Sequence, residues 1–175
     1  MRKLPVEIVS STLAVTTLFY PWHLPVWAIF VAWAGTFAAG GPKPEVLRKI
    51  WPTMAIGNVT ACLIVLLFGV ASQHLTGAPL TIAHCVILFC LNGGMMALGR
   101  LEPLSFIPGM FFGFASFFAT YFGGFGPAPK DPFVALAAVA AMNALGPIYA
   151  ILTAKFGAHH HPAPHSAAAT APARS

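Results

Sequence analysis

The chain has 175 residues, of which 58% are hydrophobic and only 7% are charged, and its net charge is +5. A soluble domain carries about 25% charged residues, so this composition excludes a protein with an ordinary water-facing surface. The positive charges form no basic cluster of the kind that binds nucleic acid. The sequence therefore predicts an all-α membrane protein whose first partner is the lipid bilayer.

Six apolar blocks separated by turn-forming segments predict six transmembrane helices. A helix needs about 20 apolar residues to cross the roughly 30 Å hydrocarbon core. The first block follows a basic end, but no A-x-A-like cleavage site precedes a soluble domain, so we expect a retained helix. Segment 44–51 is either a short interfacial helix or a solvated loop. The predicted spans are 6–21, 23–40, 52–72, 79–98, 104–124 and 132–155.

The charges predict an orientation for these spans. With a cytoplasmic N-terminus, every basic residue except Lys130 falls in a cytoplasmic segment. This bias is what the positive-inside rule requires, and it predicts an even number of spans with both ends in the cytoplasm. The basic residues assigned to that side are Arg2, Lys3, Lys43, Arg48, Lys49, Arg100, Lys155 and Arg174.

Two stripes of predicted helix 2 recur in predicted helix 5. Steps of three and four residues place each stripe on one helical face, and a face of small residues admits a close neighbouring backbone. Generic packing in a chain rich in Phe and Gly is the alternative. The small residues Ala28, Ala32, Gly35 and Ala39 correspond to Gly109, Gly113, Ser116 and Thr120 at a shift of 81, as Phe30, Trp33 and Phe37 do to Phe111, Phe114 and Phe118.

A second pattern recurs at a shift of 85, and a four-residue insertion after helix 5 reconciles the two shifts. We therefore predict a transmembrane domain over 1–156 made of two three-helix repeats, 5–74 and 79–156, followed by a disordered, cytoplasmic His/Ala/Pro-rich tail over 157–175. An odd number of helices inverts the second repeat, which is a common plan in transporters. The second pattern is Gly41-Pro42-x-Pro44 with Asn58, and Gly126-Pro127-x-Pro129 with Asn143.

The candidate functional residues are uncharged, because no Asp, Glu, Lys or Arg lies deep in a predicted span. This argues against a carboxylate proton relay and against a charged substrate bound by a buried counter-ion. Each candidate also has a structural reading, either as an interhelical hydrogen bond worth about 1 kcal/mol or as a proline kink. The solute-path candidates are Asn58, Asn143, Ser116, Thr120, Pro108 and Gly109, the last two and Gly146-Pro147 as helix interruptions, and the helix-packing candidates are Ala28, Ala32, Gly35 and Gly113.

Metal, cofactor and catalytic sites are weakly indicated or not at all. Cys62, Cys85 and Cys90 are expected to be packing residues, and a ligand set with His84 does not share one helical face. The tail residues His159, His160, His161 and His165 could bind metal. No nucleophile–base pair is visible, so we expect neither an enzyme nor a cofactor.

The region of predicted helix 5 carries a family resemblance. Residues 103–113 (PLSFIPGMFFG), continuing through Phe118-Ala119, resemble DUF1097, a family of small bacterial inner-membrane proteins of unknown function. Trp33-Ala34-Gly35 and Phe37-Ala38 are similar to that family's first-half motif, although the order at Gly40-Gly41-Pro42 differs. The resemblance covers most of residues 8–155 and implies a location and an architecture rather than a substrate.

Three functions follow as hypotheses. The first is a channel or transporter for a small uncharged or weakly charged solute. The second is a non-transporting scaffold or assembly partner that docks other helices through its small-residue stripes. The third is metal-ion uptake with the His-rich tail as a collector. Whether the chain forms a homo-oligomer is left open by its sequence.

Overall fold

The computed structural model describes residues 3–21 and 23–158. The described residues fold into six α-helices, two short 3-10 helices and one pair of two-residue strands, so the prediction of a helical protein is confirmed. The elements in chain order are β1 (Leu4–Pro5), α1 (Val6–Thr16), a 3-10 helix (Thr17–Phe19), α2 (Trp27–Ala38), α3 (Pro44–His74), α4 (Gly77–Leu98), a 3-10 helix (Glu102–Leu104), α5 (Ile107–Phe122), α6 (Pro132–Phe156) and β2 (Gly157–Ala158).

The first two helices are shorter than the predicted spans of 6–21 and 23–40. His23 has a φ of 73°, a left-handed conformation that cannot continue a right-handed helix. Pro25 then disfavours helical backbone at the residue before it. For these reasons α2 begins only at Trp27.

The third helix begins earlier than predicted, at Pro44 instead of residue 52. Segment 44–51 is continuous with it, so this segment is neither a separate interfacial helix nor a loop. Pro44 is in the first turn, where a backbone N–H has no helical partner to lose. Pro52 lies inside α3 without ending it.

The two proline positions that the sequence marked as interruptions are not breaks. α5 begins at Ile107 rather than at residue 104, so Pro108 belongs to its first turn. Proline is well tolerated at that position. α6 runs without a break through Pro147 to Phe156, which agrees with the predicted span of 132–155 to within one residue.

The start of α6 is fixed by a side-chain cap. Asp131 Oδ1 accepts hydrogen bonds from the backbone N–H groups of Phe133 at 2.9 Å and Val134 at 3.0 Å. These N–H groups belong to the first turn and have no partner within the helix. The cap therefore satisfies two groups that would otherwise remain unbonded.

The helices pack around two central members, α3 and α6. α3 packs most extensively on α5, and α2 packs most extensively on α6. α3 and α6 also contact each other, while α4 lies along α3 and α1 lies along α6. The apolar core consequently has one cluster between α2 and α6 and another between α3 and α5.

The two ends of the described chain lie side by side. β1 pairs in parallel with β2, with Leu4 opposite Gly157 and Pro5 opposite Ala158. Lys3 Nζ also donates a hydrogen bond to the Ala154 carbonyl oxygen at 3.4 Å. Both ends are therefore on the same side of the helix bundle.

Three helices, α3, α4 and α6, are long and apolar enough to cross a membrane. The other three are apolar but shorter. With 12 residues, α2 is roughly 18 Å long at about 1.5 Å per residue, less than the roughly 30 Å of a hydrocarbon core. The helices indicate a membrane protein, and by length alone three of the six predicted spans meet the requirement.

Candidate functional site

The structure brings together the two asparagines that the sequence paired. Asn143 Nδ2 donates a hydrogen bond to Asn58 Oδ1 at 3.3 Å. Asn58 is 1% exposed and Asn143 is 2% exposed. Asn58 lies near the middle of α3, and Asn143 lies near the middle of α6. The pair therefore links the two central helices at mid-height of the bundle.

The asparagine pair borders a groove between α3 and α6. The groove has a volume of about 480 Å³. Trp51 crosses from α3 to α6, where its Nε1 donates to the Ala144 carbonyl oxygen at 3.1 Å. None of the side chains lining the groove is charged. Apart from the two asparagines, they are largely apolar: Trp51, Met54, Ala55, Ala140 and Ala144.

One polar atom at this site has no hydrogen-bond partner. Asn143 Oδ1 is buried and accepts no hydrogen bond in the described part of the chain. An acceptor that is buried without a donor costs about 1–3 kcal/mol. The carbonyl oxygen of this amide is therefore a place where a bound molecule could gain a hydrogen bond.

The remaining solute-path candidates all belong to α5 and do not line this groove. Ser116 and Thr120 are buried, and Thr120 Oγ1 donates to the Ser116 carbonyl oxygen at 2.8 Å. Gly109 lies against the Thr53 side chain of α3. Pro108 is in the first turn of α5. Gly109, Ser116 and Thr120 are therefore buried in the helix packing, Pro108 is exposed, and none of the four lines the groove at the asparagine pair.

Two glycines bring α3 and α5 into backbone contact. A Cβ atom added to Gly57 would collide with the Met110 carbonyl oxygen, and a Cβ added to Gly113 would collide with the Met54 carbonyl oxygen. Gly113 is one of the packing candidates, whereas Gly57 is not among the residues that the sequence singled out. Small residues permit this close approach.

A similar approach joins α2 and α6. Gly146 of α6 lies so close to Ala32 of α2 that an added Cβ would collide with it. Ala28 and Ala32 are fully buried, and Gly35 lies against the ring of Phe112. The four packing candidates are thus all at helix contacts.

The buried faces of the two halves correspond at the two sequence shifts. Every buried residue of α2 except Trp33 has a buried counterpart in α5 at the shift of 81, and every buried residue of α3 except Thr60 has one in α6 at the shift of 85. The α2–α5 pairs are Ala28/Gly109, Ile29/Met110, Ala32/Gly113, Gly35/Ser116 and Thr36/Phe117. The α3–α6 pairs are Ile50/Ala135, Thr53/Ala138, Met54/Val139, Gly57/Met142, Asn58/Asn143, Ala61/Gly146, Cys62/Pro147, Ile64/Tyr149 and Val65/Ala150.

A cluster of hydroxyl groups holds α1 against α6, and sequence reasoning missed it. The Tyr149 hydroxyl lies 2.7 Å from Thr16 Oγ1 and 3.3 Å from the Tyr20 hydroxyl. The Tyr149 ring also packs edge-on against Trp33 of α2. These residues share no spacing that the sequence alone reveals, because their contacts join distant parts of the chain.

The described residues include no group of three or more His, Cys, Asp or Glu side chains that could hold a metal ion. His84 stacks on Phe68, with ring centroids 4.1 Å apart. Cys85 and Cys90 are exposed and free, and Cys62 is buried and free. The tail candidates His159, His160, His161 and His165 lie outside the described residues.

Together, these features define a helical protein of the membrane class with a buried amide pair between its two central helices. The family model described as "Protein of unknown function (DUF1097)" matches residues 6–158. The chain therefore belongs to this family, and the resemblance drawn from the sequence is confirmed. Neither the curated proteins nor the solved structures contain a match to the chain.

Proposed function

We propose that this protein crosses the bacterial inner membrane six times and moves a small uncharged or weakly charged solute past the Asn58–Asn143 pair. The observation that carries the proposal is the pair itself, which lies at mid-height where the two central helices meet. Solute sites of transporters built from inverted repeats lie near the membrane midplane between the repeats. A buried amide there can both donate and accept hydrogen bonds.

Six spans are supported by the ends of the chain and by the three shorter helices. The pairing of β1 with β2 keeps both ends of the described chain on one side, as an even number of crossings requires. The three shorter helices are also apolar, and the 3-10 helix Thr17–Phe19 adds to the length of the first of them. By the positive-inside rule, the side that carries most of the basic residues is the cytoplasm.

An inverted repeat is supported by the burial pattern and by the helix pairs. Exchanging α2 with α5 and α3 with α6 turns the α2–α6 contact into the α5–α3 contact, and these are the two largest helix contacts. The same exchange places Asn58 on Asn143. A residue that contacts its own counterpart lies close to the symmetry axis, so this axis would pass through the amide pair.

Solute flux into proteoliposomes tests the transport function. We expect the purified protein to accelerate the entry of at least one solute in a panel of small neutral alcohols and amides, compared with empty liposomes. The matched control is the double variant Asn58→Leu/Asn143→Leu, since replacing both partners with apolar groups of similar shape is close to neutral for stability. The transport proposal fails if no solute enters faster than it enters empty liposomes.

Cysteine labelling tests the orientation. In a variant without Cys62, Cys85 and Cys90, a membrane-impermeant maleimide should label Lys130→Cys in intact bacterial cells. It should label Lys43→Cys only after the membrane is permeabilised. Equal labelling of the two positions in intact cells would contradict the proposed topology.

A scaffold is the second candidate, and α4 is the observation that favours it. Among the 22 residues of α4, only Met95 is buried. Gly93 and Gly94 have no heavy atom within 4 Å of an added Cβ, so another helix could approach closely there. This alternative predicts a stoichiometric partner that copurifies with the wild-type protein and is lost in Gly93→Leu, together with no solute flux.

In either function, the protein acts without catalysing a reaction. The absence of charged residues deep in the predicted spans supports a role in which the solute passes or the helices dock unchanged.

A further inference from the structure

The unpaired oxygen of the asparagine pair indicates which chemical group a bound molecule would present to it. Asn143 is 2% exposed, and its Oδ1 has no partner in the described part of the chain. Buried polar atoms in native proteins nearly always have a hydrogen-bond partner, and an exception calls for an explanation. The Asn143 side chain that carries this oxygen lines the groove, and the oxygen itself is covered while the pair is closed.

The hydrogen bond within the pair is also long. The distance from Asn143 Nδ2 to Asn58 Oδ1 is 3.3 Å, slightly beyond the usual range of about 2.7–3.2 Å for N–H···O bonds. Each amide keeps donor or acceptor capacity beyond this one bond, so a competing group that separates the two amides can compensate for the bond that is lost. The pair can therefore open to a molecule that replaces this bond with better ones.

The lining and volume of the groove limit the polarity, charge and size of a molecule that could bind there. Trp51, Met54 and the alanines of the groove present apolar surface, and none of the lining residues is charged. The groove volume of about 480 Å³ lies within the range of roughly 300–1,000 Å³ that is usual for small-molecule sites. An ionised ligand would lose its hydration here without gaining an opposite charge.

We propose that the groove binds a small neutral molecule with an apolar body and at least one N–H or O–H group, which donates a hydrogen bond to Asn143 Oδ1. This inference rests on the proposed function in placing the solute at the asparagine pair, and it adds the chemical class of the solute. A molecule of the same shape without a donor leaves the oxygen unpaired. Its affinity is expected to be roughly tenfold lower.

Three benzamides test the donor requirement directly. Benzamide and N-methylbenzamide carry an N–H donor, whereas N,N-dimethylbenzamide keeps the ring and the carbonyl acceptor but has none. Binding to the purified full-length protein in detergent is measured by calorimetry and by the shift of the thermal unfolding temperature. We expect the two donors to bind roughly tenfold more tightly than the dimethyl compound.

Two variants assign this difference to the amide pair. In Asn58→Leu/Asn143→Leu the preference for the donors should disappear. In Asn92→Leu, which removes a half-buried amide of α4 outside the groove, it should match the wild type. The inference is overturned if wild-type protein binds all three compounds equally or binds none, or if the double variant keeps the preference.

The binding assay does not depend on transport. Donor-selective binding without solute flux in proteoliposomes supports the groove as a site and removes the transport function. Flux without donor-selective binding retains the transport function and overturns the inferred chemistry of the bound molecule.

Discussion

The close contact between α3 and α5 gives the most direct test of the fold. We consider Gly113→Ala, which adds one methyl group at the contact between the two helices. The structure leaves no space for it, because the new Cβ would collide with the Met54 carbonyl oxygen. The matched control is Gly93→Ala on α4, where nothing lies within 4 Å of the added Cβ. Both substitutions make the same chemical change inside an α-helix.

Gly113→Ala is expected to lower the free energy of unfolding, whereas Gly93→Ala is not. Replacing glycine by alanine inside a helix stabilises by about 1 kcal/mol through backbone entropy, and this applies at both positions. Overpacking costs about 1–3 kcal/mol, and the upper end applies to Gly113 since a backbone carbonyl cannot rotate away as a side chain can. The net loss for Gly113→Ala is thus about 2 kcal/mol, whereas Gly93→Ala is neutral or stabilising.

Thermal unfolding of the purified protein in one detergent measures the difference. At about 2–4 °C per kcal/mol for a chain of this size, Gly113→Ala should lower the midpoint by about 4–8 °C. Gly57→Ala lies on the other side of the same α3–α5 contact, where its Cβ would collide with the Met110 carbonyl oxygen of α5, and it should behave alike. Because either methyl separates the two helices, the double variant should lose less than the sum of the single losses. If Gly113→Ala is as stable as Gly93→Ala, the described contact between α3 and α5 is wrong.

Three further predictions concern hydrogen bonds, and thermal unfolding checks each of them. Asn58→Leu alone should destabilise by about 1–2 kcal/mol because it removes the one hydrogen-bond partner that the Asn143 amide has among the described residues, and adding Asn143→Leu should restore most of the loss; a double variant that is less stable than the single one would contradict this reasoning. Asp131→Ala should cost about 1 kcal/mol through loss of the α6 cap, while Asp131→Asn, which keeps an acceptor, should cost much less. Tyr149→Phe should cost about 1 kcal/mol by removing the bond to Thr16, and an unchanged midpoint would mean that the hydroxyl cluster does not hold α1.

Hydrophobic blocks and proline positions predict the bounds of a helix well only where the local sequence is compatible with a single structure. Block 132–155 starts with a proline after an aspartate, and both residues favour a helix start, so the bounds of α6 agree with the structure. Pro52 could end a helix or lie within it, and the local sequence does not decide between the two; in the structure it lies within α3. Positive φ at His23 is not signalled by the local sequence either, so the late start of α2 was missed.

Some residues of the candidate site could likewise be predicted from the sequence, and others could not. Asn58 and Asn143 could be paired from the sequence because they occupy equivalent places in two similar segments. Trp51 could not be assigned to the groove, since its role depends on reaching the Ala144 carbonyl oxygen of another helix. Gly57 was missed for a related reason: a glycine in a glycine-rich chain is informative only once the neighbouring backbone is known.

The chemistry of the pair follows from where the proposed repeat axis would pass. A side chain close to a two-fold axis meets its own counterpart, so it must be able to pair with a group like itself. Two carboxylates or two ammonium groups at this depth would repel each other in a medium of low dielectric constant, and two apolar side chains would give a solute nothing to bind. A primary amide has both a donor and an acceptor and can pair with its counterpart without any charge. When one such pair forms a single bond, an acceptor is left over, as Asn143 Oδ1 is here. The closed pair therefore has the means to recognise a neutral donor.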